Sequence, residues 1–214
     1  MTTVICSHGF GVRADSRGMF PEIAAAFPGA DVVMFDYTDI DDRGSTRVPG
    51  LQEQARRLQS VIDAHRGEAI VLLCHSQGCM IAGMVDLAHV RRVILLAPPR
   101  GDIMQRLLQR IAERPGSYHR RDGDSCLVRS DDSLSIISAQ YIDEVAAVRP
   151  DQLYQQVVTT TPTVLVRATE DDVLGEARMT HLAGADYREV SADHNFSGKA
   201  RQELIRVLRD YIAG

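Results

Sequence analysis

VLLCHSQGCM, residues 71–80, decides how the chain is read. An apolar run stops at His75-Ser76-Gln77-Gly78, and apolar residues then return at helical spacing: Met80, Ile81, Met84, Val85 and Leu87. A buried strand therefore gives way to a helix with a serine at the join. So sharp a turn lifts Ser76 out of the backbone path and presents its hydroxyl at the positive end of the following helix. A serine hydroxyl is a weak nucleophile until a base, itself oriented by a third group, stands beside it.

Outward from that stretch, short apolar runs alternate with amphipathic helical patterns. Residues 2–7, 31–36, 69–74, 91–97 and 162–168 read as buried strands, and 186–191 as a weaker edge strand. Such alternation predicts an α/β fold: a mostly parallel, doubly wound sheet of about six strands, covered on both faces. One helical face carries Leu51, Ala55, Leu58 and Ile62 and stops at Gly67; another carries Leu204, Ile205, Leu208 and Ile212. The alternation breaks between Arg100 and about Thr161. There GDIMQRLLQRIAERPG reads as a helix, Asp122-Gly123 and Asp131-Asp132 as hairpin turns, and SAQYIDEVAAV as a second helix. The expectation is one domain over residues 1–214 with an insertion at about 100–161, long enough to be a lid or a binding element.

Composition excludes several classes of function. With 214 residues, 44% of them hydrophobic, the chain can build one sizeable core. Its net charge of −5 and interspersed charges predict no nucleic-acid partner and no anionic membrane surface. The sequence runs from Met1 directly into a strand pattern with no secretory leader, and its apolar runs are too short to cross a bilayer, so a cytoplasmic protein is expected. Cys6, Cys74, Cys79 and Cys126 lie singly in apolar segments, as reduced buried thiols do. Cys74, His75 and Cys79 match no zinc spacing, and neither a metal nor a cofactor is expected.

In a parallel sheet, ligands meet the carboxyl ends of the strands. The polar oddities of this sequence sit at those ends: SHGFG at 7–11, CHSQG at 74–78, ATEDD at 168–172 and ADHNF at 192–196. Of the seven histidines, His8 and His75 belong to the turns themselves, and His65, His89 and His119 to helix ends or the insertion. His181 falls in the helical stretch EARMTHLAG, so His194, in a loop after a strand, is the best base for Ser76. The orienting acid is one of Glu170, Asp171 and Asp172, since only one of three neighbours at such a turn can face a cleft.

VLLCHSQGC resembles the nucleophile elbow of the α/β-hydrolase superfamily, and serine, acid, histidine is that family's chain order. SHGFG looks like its oxyanion loop, RATEDDVL like its acid turn and SADHNFS like its histidine loop. The resemblance implies a small serine esterase with catalytic residues Ser76, Asp171 and His194, Asp172 being the fallback acid. It also implies an oxyanion hole from the N–H groups of Phe10 and Gln77, and a cap formed by the 100–161 insertion, with a small-molecule acyl substrate. Cys74 and Ala168 stand where the family often has glycine, and the chain looks like a minimal version lacking the first two strands. Ile103, Met104, Leu107, Leu108 and Ile111 form either a buried helix face or the roof of an acyl pocket. With seven arginines and nine acids between Gly101 and Thr160, the insertion gives no hint of a strongly charged substrate.

Two other classes compete. GFGVRA, residues 9–14, fits a dinucleotide-binding fingerprint, with Asp36 placed as a ribose-binding acid of an oxidoreductase. That motif needs a helix to start within the glycines, whereas Pro21 predicts a start near Met19. The third class is a hydrolase-like scaffold that only binds.

Overall fold

The computed structural model describes residues 1–41, 44–129, 132–174 and 182–212. Six strands form one parallel sheet. They are β1 (Thr2–Ser7), β2 (Ala30–Met34), β5 (Ala69–His75), β6 (Val90–Leu96), β9 (Thr163–Ala168) and β10 (Asp186–Val190), in the order β10-β9-β6-β5-β1-β2. Each lies within a residue or two of its expected span. The central strands are apolar at nearly every position because both faces are covered. Ile5, Leu72, Cys74, Val93, Leu95 and Leu165 face a core shared with α2 (Leu51–Ala64) and α3 (Gln77–Ala82). Val4, Cys6, Val71, Leu73, Ile94, Leu96, Val164 and Val166 face a second core under α1 (Met19–Ala26) and α7 (Lys199–Ile212). The two faces predicted for α2 and α7 are buried at all eight named positions.

The helix after Ser76 is shorter than its apolar spacing suggested. It ends at Ala82 because the next turn tightens, with Gly83 N–H donating to Met80 O at 3.0 Å and Met84 N–H to Ile81 O at 2.9 Å. At Gly83, helix α6 (Pro150–Thr160) crosses so closely that a Cβ would stand 2.7 Å from that of Leu153.

The insertion contains α4 (Ile103–Glu113), β7 (Ser125–Val128), β8 (Leu134–Ile137), α5 (Ala139–Ala147) and α6. Asp102 caps α4 by accepting Gln105 N–H at 2.8 Å, and Ser138 caps α5 by accepting Tyr141 N–H at 3.1 Å. Leu107 and Ile111 of α4 are buried, with Ile103 and Met104 packed against the same core as α2 and α3. The antiparallel β7–β8 pair flanks the Asp131-Asp132 turn, of which Asp131 lies outside the described residues.

The insertion does not build its sheet alone. Strands β3 (Asp39–Ile40) and β4 (Thr46–Val48), from the segment after β2, complete a four-stranded sheet in the order β3-β4-β8-β7, with β4 and β8 parallel. The hydroxyls of Thr46 and Ser135, 3.1 Å apart, fasten the two segments. This contribution from residues 39–48 was not foreseen.

Candidate active site

Ser76 sits between β5 and α3 at φ 52 and ψ −123, a region that only glycine adopts freely, at a cost of about 1–3 kcal/mol. Its surroundings hold it there. Ser76 N–H donates to Leu96 O at 2.9 Å, and its carbonyl accepts Cys79 N–H at 2.9 Å. Gly78 lets α3 press onto β1, since a Cβ there would fall 2.2 Å from the carbonyl oxygen of Ser7. Cys74, in the position where glycine is frequent, has room because its side chain belongs to the core. Gly9 also passes close, a Cβ there lying 3.3 Å from Cβ of Ser76.

The loop after β10 brings His194 to this serine. Nε2 of His194 lies 2.9 Å from Oγ of Ser76, and Nδ1 lies 2.7 Å from Oδ2 of Asp171. A carboxylate only accepts, so Nδ1 carries the hydrogen and Nε2 is left to accept from the serine hydroxyl. Oδ1 of Asp171 takes the N–H groups of Val173 at 2.9 Å and Leu174 at 2.7 Å. Burial acts to raise the pKa of Asp171, but the His194 hydrogen bond and charge, with the two N–H groups, hold it below the usual carboxylate value. Of the three adjacent acids only Asp171 reaches His194; Glu170 accepts a hydrogen bond from Ser191, and Asp172 is exposed.

Several side chains that sequence reasoning did not single out support this row. Buried Arg201 of α7 donates from Nε to Phe196 O at 3.0 Å and from Nη2 to Asn195 O at 2.9 Å, clamping the histidine loop. His75 Nε2 lies 2.9 Å from the carbonyl oxygen of His194, so it is the donor, and Nδ1 accepts from the Ser16 hydroxyl at 3.2 Å. Burial, then the neighbouring His194, push the pKa of His75 down to about 3, so the ring is neutral. His8 donates from Nδ1 to Gly9 O at 2.9 Å and accepts Tyr37 N–H at Nε2 at 3.0 Å. It braces the loop and offers no free nitrogen. His65 and His119 contact Glu68 and Ser125, and His181 lies outside the described residues.

Phe10 and Gln77, named as oxyanion donors, flank Ser76 from two directions. Among the described residues, no group of the chain accepts the backbone N–H of either. Each residue is held through its other atoms. The Gln77 amide donates to Gln54 Oε1 at 2.6 Å and accepts from the buried hydroxyl of Tyr141 on α5. Phe10 O accepts from Arg129 Nη2 at 2.9 Å, and the Phe10 ring packs on that of Tyr141 with centroids 5.4 Å apart. Gly11, at φ 56, makes room for Arg129, whose Nη2 would lie 2.2 Å from any Cβ there.

The cleft over Ser76 measures about 150 Å³ and is lined by Gly9, Phe10, Val12, Leu127, Val173 and His194, among others. A hollow of about 330 Å³ beside Ala82 and Thr160 is larger but has no nucleophile paired with a base. The dinucleotide motif takes no shape of its own. Helix α1 begins at Met19, after left-handed residues at Ser16, Arg17 and Gly18, and Asp36 Oδ1 is occupied by Ala14 N–H at 2.6 Å.

Comparisons with known proteins agree with this fold. The model of the alpha/beta hydrolase family matches residues 4–207. No curated protein matches the sequence. Among solved structures, Est1E from Butyrivibrio proteoclasticus superposes with a TM-score of 0.68 at 13% identity, over 99% of this chain and 86% of its own. The esterase domain of a Rhodothermus marinus protein gives 0.62 at 20% identity, over 98% and 85%. A thermophilic esterase from Thermogutta terrifontis gives 0.67 at 13%, over 100% and 89%.

Proposed function

The chain belongs to the alpha/beta hydrolase family, and on that premise we propose that it is a serine hydrolase cleaving a small carboxylic ester through an acyl-enzyme. The observation that carries the proposal is the continuous row Ser76–His194–Asp171, with contacts of 2.9 and 2.7 Å in the tautomer a base needs. His194 Nε2 takes the hydroxyl proton as Ser76 Oγ attacks the acyl carbon. Asp171, kept ionised, stabilises the imidazolium that forms. The N–H groups of Phe10 and Gln77 receive the developing oxyanion, each worth about 100-fold to 1000-fold in turnover at such a site. His194 then passes its proton to the departing alcohol, and a water activated by the same nitrogen releases the acid. This chemistry calls on no cofactor or metal.

Leu127, Arg110 and Arg129 come from the insertion and line the cleft, which supports reading the 100–161 segment as a cap on a single domain. A volume of about 150 Å³ over Ser76 is half the lower end of common ligand pockets and favours a short acyl group. Among the described residues no helix is long and apolar enough to cross a membrane. Four free, buried cysteines fit a reducing compartment, and the cytoplasm is the proposed location.

A fluorophosphonate probe tests the site. One covalent adduct by intact mass is expected in the wild type and none in Ser76→Ala, and a panel of p-nitrophenyl esters from acetate to octanoate is expected to peak at short acyl length. An unlabelled wild-type protein that retains its fold would overturn the assignment and favour a scaffold that only binds.

A further inference from the structure

The cleft that holds Ser76 is lined by three arginines, Arg17, Arg110 and Arg129, and among the described residues by no aspartate or glutamate. The near balance of charge along the insertion is not reproduced at this surface, because Asp102, Glu113, Asp122, Asp124, Asp143, Glu144 and Asp151 do not line the cleft. Arg129 is engaged with Phe10 and Ser135. Arg17 and Arg110 differ: among the described residues neither guanidinium makes a hydrogen bond or an ion pair. They come from separate segments, Arg17 from the loop after β1 and Arg110 from α4 of the insertion.

Their placement is built. Ser16 and Arg17 are both left-handed, at φ 47 and 59, and Ser16 is buried with its hydroxyl on His75, so the loop turns Arg17 toward the cleft at the expense of backbone strain. Arg110 follows Leu107 and precedes Ile111, the two buried residues that anchor α4, which fixes the stripe on which it stands. Loss of solvent and the charges of Arg114 and Arg17 lower the pKa of Arg110, against a smaller opposing pull from Asp172 and Glu113, although the residue as a whole is exposed. Two like charges facing one small cavity cost free energy in the empty protein, and an anion between them relieves it. Guanidinium groups take planar or tetrahedral oxyanions through paired N–H donors. A second hollow of about 460 Å³ adjoins the cleft, shares Val12, Arg17 and Arg129 with it, and adds Arg13 and a single acid, Asp15. Positive charge thus extends outward from the serine.

We propose that the substrate is an anionic ester, carrying a carboxylate or similar oxyanion that Arg17 and Arg110 bind while the ester carbonyl lies at Ser76. The inference rests on the hydrolase reading above. With a cleft of about 150 Å³, the anion and the carbonyl are separated by a short chain, as in a half-ester of a small dicarboxylic acid. The anion selects the substrate and takes no part in bond making. The bond cleaved is the ester C–O bond, with water as the only co-substrate.

The test compares matched esters. On the acyl side, mono-p-nitrophenyl glutarate is set against p-nitrophenyl pentanoate; on the alcohol side, 3-carboxy-4-nitrophenyl acetate is set against p-nitrophenyl acetate. The quantity read is the ratio of kcat/KM, charged over neutral, within each pair. At least one ratio is expected to exceed about tenfold in the wild type and to shrink as sodium chloride rises from 0.05 to 0.5 M. In Arg17→Gln/Arg110→Gln the same ratio is expected to drop about tenfold or more, and Arg17→Lys/Arg110→Lys to retain an intermediate value because charge survives without the planar fork. The pair that shows the preference identifies which half of the substrate bears the anion. Ratios at or below one in both pairs, with the neutral esters hydrolysed, overturn the anionic substrate and leave the esterase standing. If neither pair is hydrolysed and the fluorophosphonate does not label Ser76, both readings fall together.

Discussion

His75 makes the acid stability of this protein predictable. The unfolded chain takes up a proton on this imidazole near pH 6.5, whereas the folded chain does so only near pH 3. Between those values the unfolded state binds more protons, so stability rises with pH; the contribution is complete above pH 6.5 and is lost as pH falls toward 3. At about 1.4 kcal/mol per pH unit, His75 alone removes ~3 kcal/mol between pH 7 and pH 4. His8, also depressed by burial, acts in the same direction, while Asp171 begins to matter only below the ordinary carboxylate range. The variant that isolates the effect is His75→Gln, which does not titrate and whose amide nitrogen reaches about where Nε2 donates to the His194 carbonyl. Urea unfolding at pH 7 and pH 4, analysed at constant m, measures it. The wild type is expected to lose ~3 kcal/mol more over this interval than the variant. Parallel losses in the two proteins would show that His75 is not buried in its neutral form, and its hydrogen bond to the His194 carbonyl would have to be discarded.

Asp171→Asn is expected to keep the fold but lower kcat by about 10⁴, because the amide no longer fixes hydrogen on Nδ1 of His194; a loss under tenfold in the ester assay would remove Asp171 from the mechanism. Gly78→Ala places a Cβ 2.2 Å from a backbone oxygen of β1, which cannot yield as a side-chain tip can. A loss of about 3 kcal/mol or more in denaturant unfolding is expected, and wild-type stability would contradict the close approach of α3 to β1. Tyr141→Phe leaves Oε1 of buried Gln77 without its donor, with an expected cost of about 1–3 kcal/mol and a lower kcat at unchanged KM. Unaltered stability and turnover would mean that the insertion does not hold the residue after Ser76.

The parallel sheet was legible because its strands are buried on both faces. Residues such as Val71 to Leu73 and Val93 to Leu96 need no alternation to declare themselves, and each run is bounded by turn residues. The second sheet was only half legible. β7 and β8 flank a visible Asp131-Asp132 turn, but β3 has two residues and β4 three, too few for a period-two pattern to register. Their pairing is also nonlocal: Thr46–Val48 aligns with Ser135–Ile137, about ninety residues later, and nothing near Thr46 announces it. Helix α6 was not foreseen, although it carries signals of its own: Pro150 at the first turn, Asp151 beside it, and Tyr154 and Val157 on a buried face. The helix after Ser76 read too long because Met84, Val85 and Leu87 keep helical spacing in sequence while α6 occupies the space at Gly83.

At the candidate site, what could be read depended on contrast. Ser76 and the acids at 170–172 are polar groups ending apolar runs, and His194 is the histidine that follows a strand end in a loop, so each could be picked out. Gln54 offered a similar contrast, a polar residue on the buried Leu51–Ala55–Leu58 stripe of α2, and its amide does reach Gln77. Arg17, Arg110 and Arg201 gave no such sign, since an arginine among charged residues is ordinary in sequence and its meaning lies in which way the fold turns it. Arg201 shares α7 with Arg206 and Arg209, yet only Arg201 faces inward, onto the carbonyls of Asn195 and Phe196. The same distinction governs the cleft. A segment with more acids than arginines presents Arg110 and Arg129 to the cleft and no described acid, Arg110 because α4 is oriented by Leu107 and Ile111 and the stripe between them carries it. The charge this cleft presents is thus set in part by the apolar residues that fix helix rotation, and net charge over a segment says little about it.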